Sequence, residues 1–139
     1  MTSESAILHA TCVAVDGRGV LITGPSGAGK SALAIELIAR GATLVADDRT
    51  RVRFANGDLI AEPPDTIQGL IEARQVGLIK VPFAPFAPLR LAIAMGETET
   101  QRLPDDHSMQ VLGHTLPCLH KSETSHFPSA VLLYIKGNL

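Results

Sequence analysis

An α/β fold is expected for this chain: a strand-loop-helix-strand unit set in a mixed β-sheet, with additional hairpins and a C-terminal helix. Three features of the sequence point there. The apolar run Val20-Leu21-Ile22-Thr23 leads straight into the glycine-rich segment Gly24-Pro25-Ser26-Gly27-Ala28-Gly29-Lys30-Ser31, which a helical pattern follows. Short runs of strand type flank turn residues at several places along the chain. The segment SAVLLYIK near the C-terminus carries helical periodicity.

In chain order, Ile7 to Val15 and Val20 to Thr23 read as two strands joined by Asp16-Gly17-Arg18-Gly19, a hairpin loop that makes them antiparallel. Pairing Val15 with Val20 sets a register that brings His9 opposite Ser26. Residues 31–40 (SALAIELIAR) read as an amphipathic helix, and Gly41 is a natural stop. Thr43 to Ala46 is the returning strand, ending in Asp47-Asp48. A crossover helix of about ten residues, ~15 Å long, makes the flanking strands parallel. Their carboxyl ends then share one sheet edge, where ligands of such sheets bind.

Further along, residues 51–54 and 58–61 flank the turn Asn56-Gly57 as another hairpin. Residues 65–81 are ambiguous between short helix and loop-strand. Pro82, Pro85 and Pro88 with Phe83 and Phe86 make an irregular segment before a strand over 89–94. Those phenylalanines are expected to fold back onto the core more readily than to form a docking surface, because the chain has only four Phe and one Tyr. Residues 110–112 and 115–116 flank a tight turn at Gly113-His114, a third hairpin, and residues 129–136 close the chain as a helix. No repeat, linker or low-complexity tract interrupts this order, so residues 1–139 are expected to form one domain.

Composition excludes several classes of function. Apolar residues are 45% and charged residues 19%, the balance of a globular protein. The net charge of −2 gives no electrostatic case for nucleic acid. Arg49, Arg51 and Arg53 share one face of a strand, which suits a protein or phosphate contact. No apolar run approaches the ~20 residues of a membrane helix, and the N-terminus has neither a basic start nor a long apolar stretch. A cytoplasmic location is expected. Cys12 and Cys118 then read as small core or subsurface thiols. His107, His114, His120 and His126 with Cys118 match no common zinc spacing and read as scattered surface histidines.

The glycine-rich segment carries the chemistry. It matches G-x-x-x-x-G-K-[ST] in full. Its glycines let the backbone curl so that successive N–H groups point at phosphate oxygens. Lys30 adds a point charge, Ser31 a magnesium ligand, and the dipole of the following helix favours the same anion. A nucleoside triphosphate is the expected ligand. Adjacent side chains of a strand point to opposite faces, so Asp47 and Asp48 can hold different jobs: one offsets the metal, the other takes a proton from an incoming hydroxyl. Taken alone, Asp-Asp marks an ordinary polar turn; the loop upstream turns the reading toward function.

At this point the residues resemble a family, the HPr kinase/phosphorylases. These serine kinases phosphorylate the phosphocarrier HPr of phosphotransferase systems. Leu8-His9 before a hairpin, GPSGAGKSALAIELIARGATLVADD over 24–48 and IEARQVGLIKV over 71–81 are similar to three successive blocks of that family, together roughly the first 80 residues. The resemblance is to the catalytic domain only. It implies ATP and Mg2+ as cofactors, with Gly24 to Ser31 on the β- and γ-phosphates and Asp47 and Glu72, beside Ser31, serving magnesium. Asp48 becomes the general base toward the acceptor serine, His9 its support, and Lys30 a catalytic charge. In reverse, a phosphorolysis with inorganic phosphate, Asp48 protonates the leaving serine oxygen. Arg74, in the third block, suits phosphate, the partner protein or a surface ion pair. Trimers paired into hexamers are implied as well.

The chain departs from the family in places. Ala32 stands where the family has Glu, and the third block carries Gln75 and Lys80. The family's arginine-bearing loop before its last helix corresponds to residues 116–130, which contain no arginine; Lys121 offers a charge there without the two-pronged contact of a guanidinium. The expectation is an ATP- and Mg-dependent kinase of HPr or a related carrier. Two other readings stay open: a nucleotide-binding regulatory module without efficient turnover, and a small-molecule kinase.

Overall fold

A computed structural model describes residues 4–66 and 68–139. Its elements in chain order are β1 (Ser5–Leu8), β2 (Ala10–Val15), β3 (Arg18–Thr23), α1 (Lys30–Ala39), β4 (Thr43–Ala46), β5 (Thr50–Ala55) and β6 (Asp58–Glu62). There follow β7 (Leu70–Ala73), β8 (Gly77–Lys80), β9 (Ala87–Thr98), β10 (His107–Val111), β11 (His114–Lys121) and α2 (Phe127–Asn138).

Nine strands form one mixed sheet in the order β1-β5-β6-β9-β3-β2-β4, with β11 also on β9 and β10 on β11. The small β7–β8 hairpin stands apart from it. Strands β3 and β9 run parallel, as do β9 and β11, while β2 lies antiparallel between β3 and β4. The two strands flanking α1 are therefore parallel but not neighbours, and their carboxyl ends reach one rim as expected.

Strands β2, β3 and β9 are covered on both faces, which is why they read as nearly unbroken apolar runs. On one face Val13, Val20, Ile22, Leu91 and Ile93 meet Leu33 and Leu37 of α1 and Val131 and Ile135 of α2. On the other, Cys12, Leu21, Ala92 and Ala94 pack with Val52 and Leu59 from β5 and β6 and with Leu116 and Cys118 from β11. Ile93 is fully buried, with Ile22 beside it on one strand and Leu119 on the other. Truncating it to Ala is expected to cost about 2–5 kcal/mol, read as a lower urea midpoint with an unchanged slope.

Local chemistry explains the turns. Asp16-Gly17, Asn56-Gly57 and Leu112-Gly113 all have positive φ at both positions (51 and 78, 54 and 82, 49 and 77°), the two-residue hairpin turn that favours glycine second. Helix α1 stops at Gly41, φ 112°, where Gly41 N–H donates to the Ile38 carbonyl and Ala42 N–H to that of Leu37.

Several expectations need correction. The first hairpin turns on two residues, so Val15 pairs with Arg18 and Val13 with Val20, shifting the register by two. Ile7 to Val15 is not one strand: the chain breaks at His9, leaving β1 on β5 and β2 on β3 and β4. The ambiguous 65–81 segment, of which Ile67 lies outside the described residues, holds the β7–β8 hairpin and no helix. The third hairpin turns at Leu112-Gly113. Phe83 and Phe86 are about half exposed rather than folded onto the core. Arg51 and Arg53 are committed to Glu62, at 3.9 and 2.7 Å. The histidines are not scattered: His114 stacks on Phe54, and His107 on His120 beside Glu99. The bond from His107, helped by Gln101 N–H, holds the Glu99 carboxyl below the usual carboxylate range.

Both cysteines are buried and free, as expected. Burial pushes the Cys12 thiol up to about 12 and raises that of Cys118. Since the thiolate is the reactive form, neither is expected to react with a disulfide reagent at mildly alkaline pH until the protein is unfolded, when both do. A thiol count on native and denatured protein checks this.

Candidate functional site

The site gathers at the rim where β3 and β4 end and β2 begins. Residues 24–29 curl between β3 and α1 with positive φ at Gly24, Gly27 and Gly29 (145, 85 and 98°), conformations that side-chain-bearing residues avoid. The loop rests on the end of β9: a Cβ on Gly24 would lie 3.2 Å from the Met95 Cβ and 3.3 Å from the Gly96 N. Gly27 faces open space. Helix α1 begins at Lys30, so its amino end points at the loop's concavity.

Lys30 is only 6% exposed, and its ammonium donates to the Gly24 carbonyl at 2.7 Å and the Pro25 carbonyl at 3.2 Å. It is thereby held inside the curl. Ser31 Oγ donates to Asp47 Oδ1 at 2.8 Å, joining loop and acid directly. The backbone N–H of Glu72, on β7, faces Asp47 Oδ2 at 3.5 Å. Asp48 takes a positive φ of 65°, which bends the chain so that its carboxylate leaves in another direction. That carboxylate is 61% exposed and lies 3.6 Å from His9 Nε2. At this distance the two are neighbours without a hydrogen bond.

His9 Nε2 also lies 3.5 Å from Ser26 Oγ, although the register shift puts His9 outside the β2–β3 ladder. The break between β1 and β2 delivers it: freed from the strand, the side chain leans over the loop toward both Ser26 and Asp48. Lys30, Ser31, Asp47, Asp48, Glu72 and Arg74 line a single cleft of about 750 Å³. Every residue singled out for metal or catalysis except His9 lines it, and His9 stands at its lip against Asp48.

Thr11 escaped the sequence reading. Fully buried in β2, its hydroxyl donates to Asp47 Oδ1 at 3.3 Å and accepts from Asp48 N–H at 3.0 Å. One side chain thus fixes both acids at the end of β4. The signal was a lone hydroxyl in the otherwise apolar run ATCVAV, two residues after His9.

Lys121, at the end of β11, places Nζ 3.5 Å from the Ala28 carbonyl and 3.7 Å from Glu123 Oε1. Helix α2 follows after a short turn.

A glycine-rich curl with a buried lysine, and a serine bonded to one of two paired acids, has the donors and carboxylates that a polyphosphate and its counter-ion would need. The sequence model of the HPr Serine kinase C-terminal domain matches residues 1–84 of the 139-residue chain, more than half. Among solved structures, the HPr(Ser) kinase/phosphatase from Coxiella burnetii superposes with a TM-score of 0.80 at 26% identity, over 94% of this chain and 88% of that one. The matched span takes in His9, the loop, both aspartates and Glu72, and the superposition, over 94% of the chain, reaches well beyond residue 84; the chain belongs to the HPr serine kinase C-terminal domain family.

Proposed function

We propose that this protein is an ATP- and Mg-dependent serine kinase that phosphorylates HPr or a related phosphocarrier, and that also removes the phosphoryl group by phosphorolysis. The observation that carries the reading is the shared cleft: the phosphate curl and both acids face one space, with Ser31 bonded to Asp47. The loop N–H groups and Lys30 would hold the β- and γ-phosphates. Magnesium, held by Ser31, Asp47 and Glu72, would neutralise charge on those phosphates.

Asp48 then takes the proton of the acceptor serine as its oxygen attacks the γ-phosphorus and the bond to the β–γ bridging oxygen breaks, releasing ADP. Its exposure leaves room for a loop of another protein to approach. His9 positions the Asp48 carboxylate. In the reverse direction inorganic phosphate accepts the phosphoryl group as pyrophosphate, and Asp48 returns a proton to the departing serine oxygen.

Lys121 adds a positive charge at the loop's edge, its Nζ 3.5 Å from the Ala28 carbonyl. Lys121→Ala is expected to slow transfer by about tenfold, less than the 10²–10³ of a fully preorganised donor, because a single flexible ammonium makes one contact where a guanidinium makes two. Transfer at the parental rate would remove Lys121 from the site.

Purified HPr incubated with the protein, ATP and magnesium is expected to gain one phosphoryl group on a serine, read by mass spectrometry. HPr that binds tightly yet gains no mass would support the regulatory module instead, which the arginine-free 116–130 segment favours. Transfer to a small molecule and to no carrier would overturn the proposal.

A further inference from the structure

We propose that Glu99, His107 and His120 form a binding site for a divalent transition-metal ion of the zinc class. None of the three lines the nucleotide cleft. They come from separate pieces of chain: Glu99 directly after β9, His107 opening β10 and His120 near the end of β11. Sheet pairing brings them together. His107 pairs with Cys118, which puts His120, two residues on, on the same face, and the Glu99 N–H donates to the Lys121 carbonyl at 2.8 Å.

The carboxylate is oriented in advance. Its Oε2 accepts from the backbone N–H groups of Thr100 and Gln101, both at 3.1 Å, which leaves Oε1 turned to His107 Nε2 at 2.9 Å. Supporting bonds of this kind are what fix a metal-binding carboxylate. The His107 and His120 rings lie parallel, 3.8 Å between centroids and 6° between planes, and one donor atom from each of the three residues falls within 4.8 Å of the others. Zinc–nitrogen distances of about 2.0–2.1 Å put neighbouring donors of a tetrahedral site about 3.3 Å apart. Imidazole lone pairs lie in the ring plane, so metal binding requires one ring to turn out of the stack and aim its nitrogen at the shared ion. Glu99 and His107 are 15% and 26% exposed, so solvent reaches a fourth position.

Two imidazoles and one carboxylate suit zinc, cobalt or nickel; magnesium prefers an all-oxygen set. The site is therefore distinct in metal preference as well as place from the one proposed at the nucleotide. The competing account is a pair of stacked rings that merely finishes the second core, with an ion pair at its edge.

Titration of tag-free protein with Zn2+ against a chromophoric chelator separates the two. One equivalent is expected to bind, with a rise in the thermal midpoint that grows with zinc concentration. Co2+ in its place is expected to give the visible bands of a low-coordinate nitrogen–oxygen set. Glu99→Gln and His120→Gln should each weaken binding at least about tenfold and abolish the midpoint rise, while His126→Gln changes neither. Glu99→Gln keeps shape and the stacked rings, so it reports even if His120→Gln folds poorly; circular dichroism without metal checks both. Failure of the wild type to bind zinc in competition with the chelator, or binding by Glu99→Gln and His120→Gln equal to wild type, overturns the proposal.

Discussion

Asp48→Asn is expected to lower phosphoryl transfer to HPr by about 10²–10⁴-fold, the usual contribution of a positioned base, while ATP binding stays near the parental value. Asparagine is the informative replacement because of the backbone. Asp48 has a φ of 65°, a conformation that Asp and Asn adopt more readily than other side-chain-bearing residues. Its N–H bond to Thr11 Oγ1, 3.0 Å, uses the main chain and survives the change. The fold, the loop and Asp47 are then undisturbed, and only proton acceptance is lost. Alanine would confound that loss with strain. Single-turnover transfer from labelled ATP, beside a direct measurement of ATP affinity, tests it. A parental rate in Asp48→Asn means that another group takes the serine proton; loss of ATP affinity instead means that the carboxylate serves the nucleotide complex rather than the acceptor. Replacing His9, which faces the carboxylate at 3.6 Å, is expected to slow transfer less than Asp48→Asn does, as befits a residue that positions its neighbour.

Much of this site was legible because its chemistry is local in sequence. The curl, its lysine and serine, and the helix they start are contiguous, and the short crossover constrains β3 and β4 to be parallel whatever lies between them. The three Gly-containing hairpins were legible for a similar reason: each turn's positive φ demands particular residues within two positions. Register was not. Asp16-Gly17 and a four-residue loop both satisfy the same alternation, since a shift of two keeps every side chain on its face. His9 still reached Ser26, by a break in the strand that no periodicity announces. Residues 70–80 hide their hairpin because Val76 and Leu78 are exposed, which spoils the pattern of a half-buried pair. Thr11 and the Glu99–His107–His120 group depend on contacts between distant strands, and no spacing along the chain encodes them. The exposure of Phe83 and Phe86 departs from burial expectation for the same reason: whether an aromatic finds the core depends on where a proline-rich segment is carried.

Lys30→Met is expected to separate function from stability. Lys30 is buried at 6% exposure, its ammonium satisfied by the Gly24 and Pro25 carbonyls at 2.7 and 3.2 Å. Methionine fills similar volume without charge, so the desolvation cost of a buried ammonium disappears, while Gly24 loses a donor. Pro25 keeps one, because Ala28 N–H reaches its carbonyl at 3.1 Å. These opposing effects leave the unfolding free energy within about 1–2 kcal/mol of the parent. No such offset exists for the triphosphate. Without the ammonium its charge would lose the cation held inside the curl, and losing one preorganised donor costs about 10²–10³ in rate. Calorimetric unfolding together with ATP titration and the transfer assay shows the split: a midpoint near the parent's, weak nucleotide binding and little transfer. A variant that unfolds far below the parent would make Lys30 chiefly a strut for the curl. One that binds and transfers normally would move the phosphates away from Lys30, and with them the reason the two aspartates face that cleft.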